Sequence, residues 1–543
     1  MKSIWLIWFL LFFFFTLQSF AQCFDWGAEF GDQNFVSVVA DENNNVYASG
    51  SYDSTSLFGT QTLSTLPYAN GIFLTKYDAN SNFMWAKNIC LGDAFFYLKS
   101  LAISGNSLYI TGGCSSGLTI NGVSYPGNSI YLIKTDFDGT IIWSRAYPSN
   151  TGSGSNQGLA LISDNQNGIF LTGRFRDSVN FDNYHLYANG GQRMFLTRIN
   201  SSGSVLWAIQ AANTAFSGGT SSRGACVNVS ANGNVIVGGF YTDSLRFGNH
   251  LAPGPFADYK SYIAAFDSNG NNIWINAGID DPSMINPSNF ANTYGVITDA
   301  SNNIYAAISN EGDSLRIGSI EITKNIVLVK YDQSGNVIWV SQQGHTNPFY
   351  VSEWGPGILT DAAGNIYNSG QVWDSAYFDQ NMILTNGSIS TFIAKYNSSG
   401  TLENLLISSG AGSPYHYQSC IDNSDNIYIG GLLYGSEETI SSITTANPDT
   451  SHAVSFIWKL CNSDFSGIEN LQTKNVMLIF PNPATDWLIV KFDGNVSIVS
   501  LEGHVMIKEN NHQQDQSIDV SHFPNGIYLC YAGNKCSKIA IQH

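Results

Sequence analysis

The side chains best suited to recognise or transform something are aromatic, and they fall in irregular stretches of the chain. Phe349, Tyr350 and Trp354 lie in one, Trp373 in another, and Tyr415, His416 and Tyr417 in a third, while Asp280 and Asp281 add charge in a fourth. An aromatic face with a polar tip suits sugar rings and peptides, and irregular loops on a rigid scaffold are where binding groups collect. The competing use for these rings is to pack their own loops. Spellings for covalent or nucleotide chemistry are missing: the chain has no GxSxG, no HExxH and no phosphate-binding GxxxxGK[ST]. None of its nine histidines lies three or four residues from another. Residues 152–158 are glycine-rich but open no helix, so they read as a connection. Residues 136–139 (DFDG) resemble the start of a calcium loop, yet the twelve-residue ligand series with its closing Glu is absent. An Asx turn explains such residues. No cofactor is expected, and calcium is the one ion that the Asp-rich turns bring to mind.

Composition narrows the partners. Lys plus Arg number 23 against 41 Asp plus Glu, a formal net charge of −18 over 543 residues, with no basic run. Nucleic acid and anionic membranes are disfavoured, because both need clustered cations. Charged residues make up only 12% and aromatics 13%, the balance of a β-rich exported protein with many turns rather than of a disordered chain. Residues 1–21 read as a cleaved signal peptide: Lys2, an apolar run over 4–17, then Ser19-Phe20-Ala21 as a small-x-small cleavage site. No segment after cleavage is long and apolar enough to span a bilayer as a helix. The eight cysteines then meet an oxidising compartment.

The elements that must position these side chains come from a repeat, seen most cleanly over 295–344. One strand recurs as Val46-Tyr47, Leu108-Tyr109, Ile169-Phe170, Val235-Ile236, Ile304-Tyr305, Ile366-Tyr367 and Ile427-Tyr428, at steps of 61–69 residues. Three residues later stand Gly50, Gly112, Gly173, Gly239, Ile308, Gly370 and Gly431, which implies close approach of a neighbouring backbone or side chain at that point. A third strand recurs as FLTKYD, YLIKTD, FLTRIN, YIAAFD, VLVKYD, FIAKYN and FIWKLC. A fourth carries Trp85, Trp143, Trp207, Trp274 and Trp339, with Asn404 in that place in the sixth copy. The seventh copy stops at Cys461, and its missing fourth strand stands at the other end of the chain, around Trp26. The expected fold is all-β: a seven-bladed β-propeller of four-stranded blades over 22–463, closed by its N-terminal strand, because closure leaves no exposed sheet edge. In this register Cys461 takes the place of Asp78 and Cys23 that of Asn82, so a Cys23–Cys461 disulfide is expected across one hairpin turn. Cys90, Cys114, Cys226 and Cys420 sit at non-equivalent places and read as buried thiols, with no pairing assigned. Asp177, Asp243, Asp313 and Asp374, each followed by Ser, recur after the second strand and read as turn caps.

On these motifs the copies resemble the secreted bacterial β-propeller repeats, whose pattern runs roughly DxxGNIYxxGxF and then FLxKYDxxGNxxW. The resemblance implies fold rather than ligand. Beyond a polar linker at 464–474 the period ends. A small β-sandwich is expected over 475–543, with Pro481, Asn482, Pro483, Gly503, Gly526, Tyr528 and Lys538 as landmarks. Cys530 and Cys536 flank a hairpin tip there and are expected to pair. The order of landmarks resembles the type A C-terminal sorting domain of the Bacteroidota type IX secretion system. That resemblance implies outer-membrane secretion machinery as a partner, and a destination outside the cell or on its surface. The function expected is recognition or adhesion, through a glycan or protein ligand. An extracellular polysaccharide hydrolase or lyase is the alternative, and a structural scaffold for other surface proteins is the third reading.

Overall fold

The structure is a computed structural model. It describes residues 26–543 apart from 54, 66–68, 93–95, 150–155, 213–220, 243, 255–258, 280–289, 312–314, 345–356, 380, 448–449, 466–477, 481–483, 492–494, 502, 510–514 and 533–534. The leader and Cys23 therefore lie outside the described residues. The chain forms two compact units, Met1–Gly467 and Ile468–His543. Among the described residues the regular elements are strands apart from a 3-10 turn at Asn462–Phe465, with no α-helix. No helix among them is long and apolar enough to cross a membrane.

In the first unit the four runs of each copy are four neighbouring antiparallel strands. The fifth copy shows the plan: Ala291–Thr298, Ile304–Asn310, Ile326–Tyr331 and Val337–Gln343 lie side by side in chain order. The inner strands of the next-lying copies are Phe96–Ser104, Gln157–Ser163, Ser222–Val229 and Gly357–Thr360. The last copy has only three strands of its own, Ser413–Ile421, Ile427–Tyr434 and Val454–Leu460. Its fourth is supplied by Trp26–Ala40, which serves two sheets. Trp26 to Asp32 pair with Lys459 to Val454, and Gln33 to Ala40 pair with Tyr52 to Val46 as the inner strand of the first sheet. The inner strands lie against one another in chain order, and Ser413–Ile421 lies against Trp26–Ala40.

Second and third strands are apolar on both faces because they are covered on both. Ser107–Cys114 and Lys260–Phe266 are buried at every position. The turns are written by side-chain chemistry. Asp299 accepts the amides of Ser301 (2.9 Å) and Asn303 (2.8 Å) on one carboxylate oxygen and the Tyr305 hydroxyl (3.1 Å) on the other. Asp361 and Asp422 repeat the bond to Tyr367 and Tyr428 at the same length. Asp136 likewise accepts the amides of Asp138 (3.0 Å) and Thr140 (2.7 Å), which is an Asx turn.

The repeated Trp is a latch between sheets. Trp143, Trp207, Trp274 and Trp339 donate Nε1–H to the carbonyls of Ser201 (3.0 Å), Ser268 (3.0 Å), Gln333 (3.1 Å) and Ser398 (3.3 Å), each in the third-to-fourth turn of the following sheet. The same rings lie 2.9–3.2 Å from where a Cβ would sit on Gly203, Gly270, Gly335 and Gly400, whose φ values of +84° to +85° already favour glycine. In the sixth sheet, where Asn404 replaces the Trp, the ring comes from elsewhere. Phe465 of the 3-10 turn packs on Tyr367 with centroids 5.1 Å apart, as Trp143 packs on Tyr109 at 5.8 Å.

Two features go beyond the sequence reading. First, a short hairpin projects between second and third strands, as in Ser244–Phe247 with His250–Pro253 and Leu315–Ile317 with Ile320–Ile322. These hairpins reach back to the preceding sheet: Thr119 pairs with Leu91, Arg246 with Ala212, Arg316 with Ile279 and Thr439 with Ser409. Asp177, at φ +63°, stands at the irregularity where its strand bends into such a hairpin. Second, the inner strands carry a one-residue bulge, whose extra residue is Leu159, Ala225, Tyr294 or Tyr417 in four of them. The recurring glycine makes room for it, since a Cβ on Gly173 or Gly239 would lie 2.0 Å from the carbonyl oxygen of Gln157 or Arg223.

Taken by itself, the second unit is two antiparallel sheets, one of Leu478–Phe480, Trp487–Lys491 and Asp515–Asp519, the other of Val505–Glu509, Val496–Ser500, Gly526–Ala532 and Lys535–Ile541. Leu488, Val490, Ile498, Ile518, Cys530 and Ile539 share its core. Gly503 turns at φ +89°, Gly526 opens a strand, Tyr528 donates to the Pro524 carbonyl (2.8 Å), and Lys538 is exposed. Residues Pro481, Asn482 and Pro483 lie outside the described residues. The expected Cys530–Cys536 bridge is corrected: Cys530 is a buried thiol, not half of a disulfide. The register sets Ser537 opposite it and Cys536 opposite Tyr531, so the two positions are one residue out of step for a cross-strand bridge. Cys461, in contrast, is disulfide-bonded. Cys90, Cys114, Cys226 and Cys420 are thiols, the first three buried.

Candidate functional site

A cavity of about 740 Å³ lies in the first unit, and residues from the inner strand of every sheet line it. Its two ends differ in chemistry. At the C-terminal ends of the inner strands the lining is mostly aliphatic, with Val39, Ile103, Ile162, Ile297, Leu359 and Ile421, and the inner strand of the fourth sheet contributes the polar Asn228. Toward the bulges it includes Tyr294, Tyr417, Arg174 and Arg223. The bulges explain the tyrosines, because an extra residue re-aims a side chain that regular pleating would send elsewhere. No Asp, Glu or His lines the cavity among the described residues.

Neighbouring side chains orient the arginines. Arg223 lies over the Phe240 ring, 4.6 Å from its centroid. Arg174 donates Nη1–H to Gln192 Oε1 (3.3 Å), which also accepts the Ser221 hydroxyl (3.3 Å). Met194, opposite Arg174 in the register, donates its amide to the Ser222 hydroxyl (3.1 Å), so the third and fourth sheets are tied beside both arginines.

The described residues among those expected to form a binding face stand in different surroundings. Tyr417 lines the cavity. Trp373 is 42% exposed on the second strand of the sixth sheet. Tyr415 packs edge-on against Tyr434, centroids 5.4 Å apart. His416 is fully buried opposite Gly431, which removes it from any surface, and burial pushes its pKa down to about 4. Trp354, Asp280 and Asp281 lie outside the described residues. Arg174, Arg223 and Tyr294 escaped the sequence reading. Their signal was scarcity, two cations beside inner strands in an acidic chain.

Glu438 is a second unusual group, away from the cavity. It is 1% exposed; Oε1 accepts the Ser408 hydroxyl (2.7 Å) and Oε2 has no partner among the described residues. Burial raises its pKa to about 7, against the hydrogen bonds from Ser408 and the Gly412 amide. A carboxyl raised by folding contributes stability below its unfolded value, and that stability is lost as pH rises through about 7. The change corresponds to roughly 3 kcal/mol between pH 4.5 and 8. The Glu438→Gln variant is expected to lose this component of the slope, so its urea midpoint relative to the parent rises with pH. A constant difference across that range would contradict the assignment.

Comparison with known proteins adds a family at one end of the chain. Residues 478–542 match the secretion system C-terminal sorting domain. This domain marks the chain for export through type IX secretion, to the cell surface or beyond it, and for contact with that machinery. An uncharacterized WD repeat-containing protein of Acanthamoeba polyphaga mimivirus, L264, is 22% identical over 519 residues, covering 75% of this chain; this chain spans 36% of that protein's length. Among solved structures, the polysaccharide lyase Uly1 is similar at 10% identity and TM-score 0.40, covering 78% of this chain and 89% of that one. PorZ, a surface component of the type IX secretion system of Porphyromonas gingivalis, is similar at 10% identity and TM-score 0.17, covering 95% and 100%.

Proposed function

We propose that the first unit is a closed seven-bladed β-propeller of the secreted bacterial repeat kind, carried out of the cell by the sorting domain to bind a glycan or protein ligand. The single observation behind this reading is the cavity to which each of the seven inner strands contributes. In this reading the chain comprises a leader at 1–21, the propeller at 22–463, a linker at 464–474 and the sorting sandwich at 475–543. Chain closure follows too. Continued unbroken, the register that pairs Trp26 with Lys459 would set Cys461 one residue out of step with Cys23; the one-residue shift that the first sheet makes between Lys76 and Tyr77 would bring the two opposite each other, so Cys23 is its disulfide partner in this proposal. In the first sheet the equivalent positions are joined by a hydrogen bond from Asn82 Nδ2 to Asp78 Oδ2 (2.9 Å).

Binding is favoured over hydrolysis because a glycosidase needs two carboxyl groups roughly 5–10 Å apart, and none lines the cavity among the described residues. The test is an array of glycans and peptides probed with the mature full-length chain. Binding that falls at least about tenfold in Tyr417→Ala and Tyr294→Ala supports the reading, as expected for loss of a stacking face. Retained binding in both variants, or release of new saccharide ends from an arrayed glycan, would overturn it.

A further inference from the structure

The geometry points to the outer hairpin of the seventh sheet as a latch on the sixth, closed while the Glu438 carboxyl is neutral and released when it ionises. The hairpin is Glu437–Ile440 with Ile443–Ala446. Three kinds of link hold it to the sixth sheet and the chain just beyond. Thr439 pairs with Ser409 and Glu438 with Gly410. The Gly412 amide donates to the Glu437 carbonyl (2.7 Å). The Ser408 hydroxyl donates to Glu438 Oε1 (2.7 Å). The latch is independent of what the cavity binds.

The other copies build this joint from hydrocarbon. Two residues before the pair at each hairpin tip stand Leu118, Val179, Leu245, Leu315 and Ala376, with Ser56 in the first sheet, all of them buried. Leu245 shares a core with Met194 and Ala211, and Leu315 meets Gly278, where a Cβ would lie 2.4 Å from Leu315 Cδ1. In the sixth sheet Thr391 and Ser408 take the places of Met194 and Ala211, since the Ser408 amide donates to the Thr391 carbonyl (2.9 Å) as Ala211 does to Met194 (3.3 Å). Thr391 returns its own amide to the Ser408 hydroxyl (2.9 Å). A hydrogen-bonded row from Thr391 through Ser408 to Glu438 thus replaces an apolar contact.

No counter-charge waits for an ionised Glu438, which makes no ion pair among the described residues. On its own hairpin Glu437 is exposed, and Thr445, opposite Glu438, accepts the Trp458 indole N–H (2.7 Å). Glu403, on the strand that leads to Ser408, is exposed. Lys395, on the strand of Thr391, gives its ammonium to the Phe465 carbonyl (3.4 Å), and Lys459, beside Trp458, lies over the Tyr428 ring. On the remaining strands Tyr415 packs on Tyr434, Tyr417 lines the cavity and His416 is buried with its pKa pushed down to about 4. Oε2 of Glu438 has no partner among the described residues, so a charge there is solvated only if water reaches it. Lifting the hairpin admits that water. Ser409–Gly410 is exposed, and Gly435, at φ +88°, precedes the hairpin where the chain can swing.

The direction follows from burial, which raises this carboxyl from 4.5 to about 7. The closed form is favoured below the ordinary value, and the advantage is lost as pH rises through about 7. Between pH 6 and 8.5 the opening constant of the hairpin is expected to rise about tenfold. The test is hydrogen–deuterium exchange of the mature full-length chain at these two pH values, read on peptides within 437–446 and corrected for intrinsic amide exchange. The hairpin Leu315–Ile317 with Ile320–Ile322, where Leu315 holds the Glu438 position, is the internal control. Protection over 437–446 is expected to fall about tenfold while the control stays within about twofold. Glu438→Gln and Glu438→Leu are expected to abolish the fall. Equal protection at the two pH values in the parent would overturn the latch. A fall that persists in both variants would overturn Glu438 as its trigger. A fall of the same size in the control hairpin would mean a global loss of stability and overturn a local release. If a variant does not fold, the parent's two hairpins still decide between latch and none.

Discussion

Valine in place of Gly239 is expected to remove the soluble folded protein. A Cβ at this position would lie 2.0 Å from the Arg223 carbonyl oxygen and 3.0 Å from its carbon, inside any tolerable contact. The clash is with backbone, so no side-chain rotation relieves it. Nor is the carbonyl free to retreat, because it accepts the Tyr262 hydroxyl at 3.1 Å. The host strand Val235–Tyr241 is buried at every residue, which leaves no solvent side toward which to shift. Overpacking usually costs about 1–3 kcal/mol; with two extra methyl groups and an immobile partner, more than about 4 kcal/mol is expected, a large part of a domain's whole stability. Soluble yield and urea unfolding check this. Gly233 provides the contrast, since a Cβ there meets nothing within 4 Å. At its φ of +84° asparagine is tolerated, so Gly233→Asn is expected to cost about 1 kcal/mol or less.

Deleting residues 22–32 is expected to be as damaging for a different reason. Trp26 to Asp32 cover Val454–Leu460, a strand buried at all seven positions. Within it Phe456 and Trp458 stack at 4.0 Å, with Trp458 Nε1–H given to the Thr445 hydroxyl at 2.7 Å. Without the closing strand this apolar row presents a bare edge of unpaired amides and carbonyls, the form of sheet most prone to join another chain. The truncated protein is expected to aggregate. Whatever stays soluble should lose a single cooperative unfolding transition, because the inner half of the same strand still has to seat Gln33 to Ala40 in the first sheet. A truncated chain that is monomeric, with an unchanged midpoint, would refute the role given to this strand.

Much of the scaffold was legible because it is repeated. The glycine position announced a close approach by a neighbouring group, and the structure shows that group to be backbone, the carbonyls of Gln157 and Arg223. Ile308 stands at that position in the fifth sheet, beside a bulge of the same kind, and nothing in the structure explains the exchange. The Asp-rich turns read correctly as local hydrogen-bonding devices, because an Asx turn is complete within five residues. The outer hairpins were missed since each strand has only three or four residues, too few for alternation to stand out from a turn. The cavity lining other than Tyr417 was missed for a related reason. A bulge inverts the facing of Tyr294 and Tyr417 by one residue, and no periodic pattern records the inversion. His416 was misread by its aromatic neighbours: one step along the same strand, pleating sends it inward to full burial. The Cys530–Cys536 pairing failed by a single residue of hairpin register, which the loop sequence alone does not fix.

Peptide mapping of the unreduced mature protein tests the ring most directly. Cys461 carries a disulfide, and the proposed closure by the first strand predicts that its peptide is joined to the one containing Cys23. A Cys461 peptide joined to any other cysteine would contradict the ring.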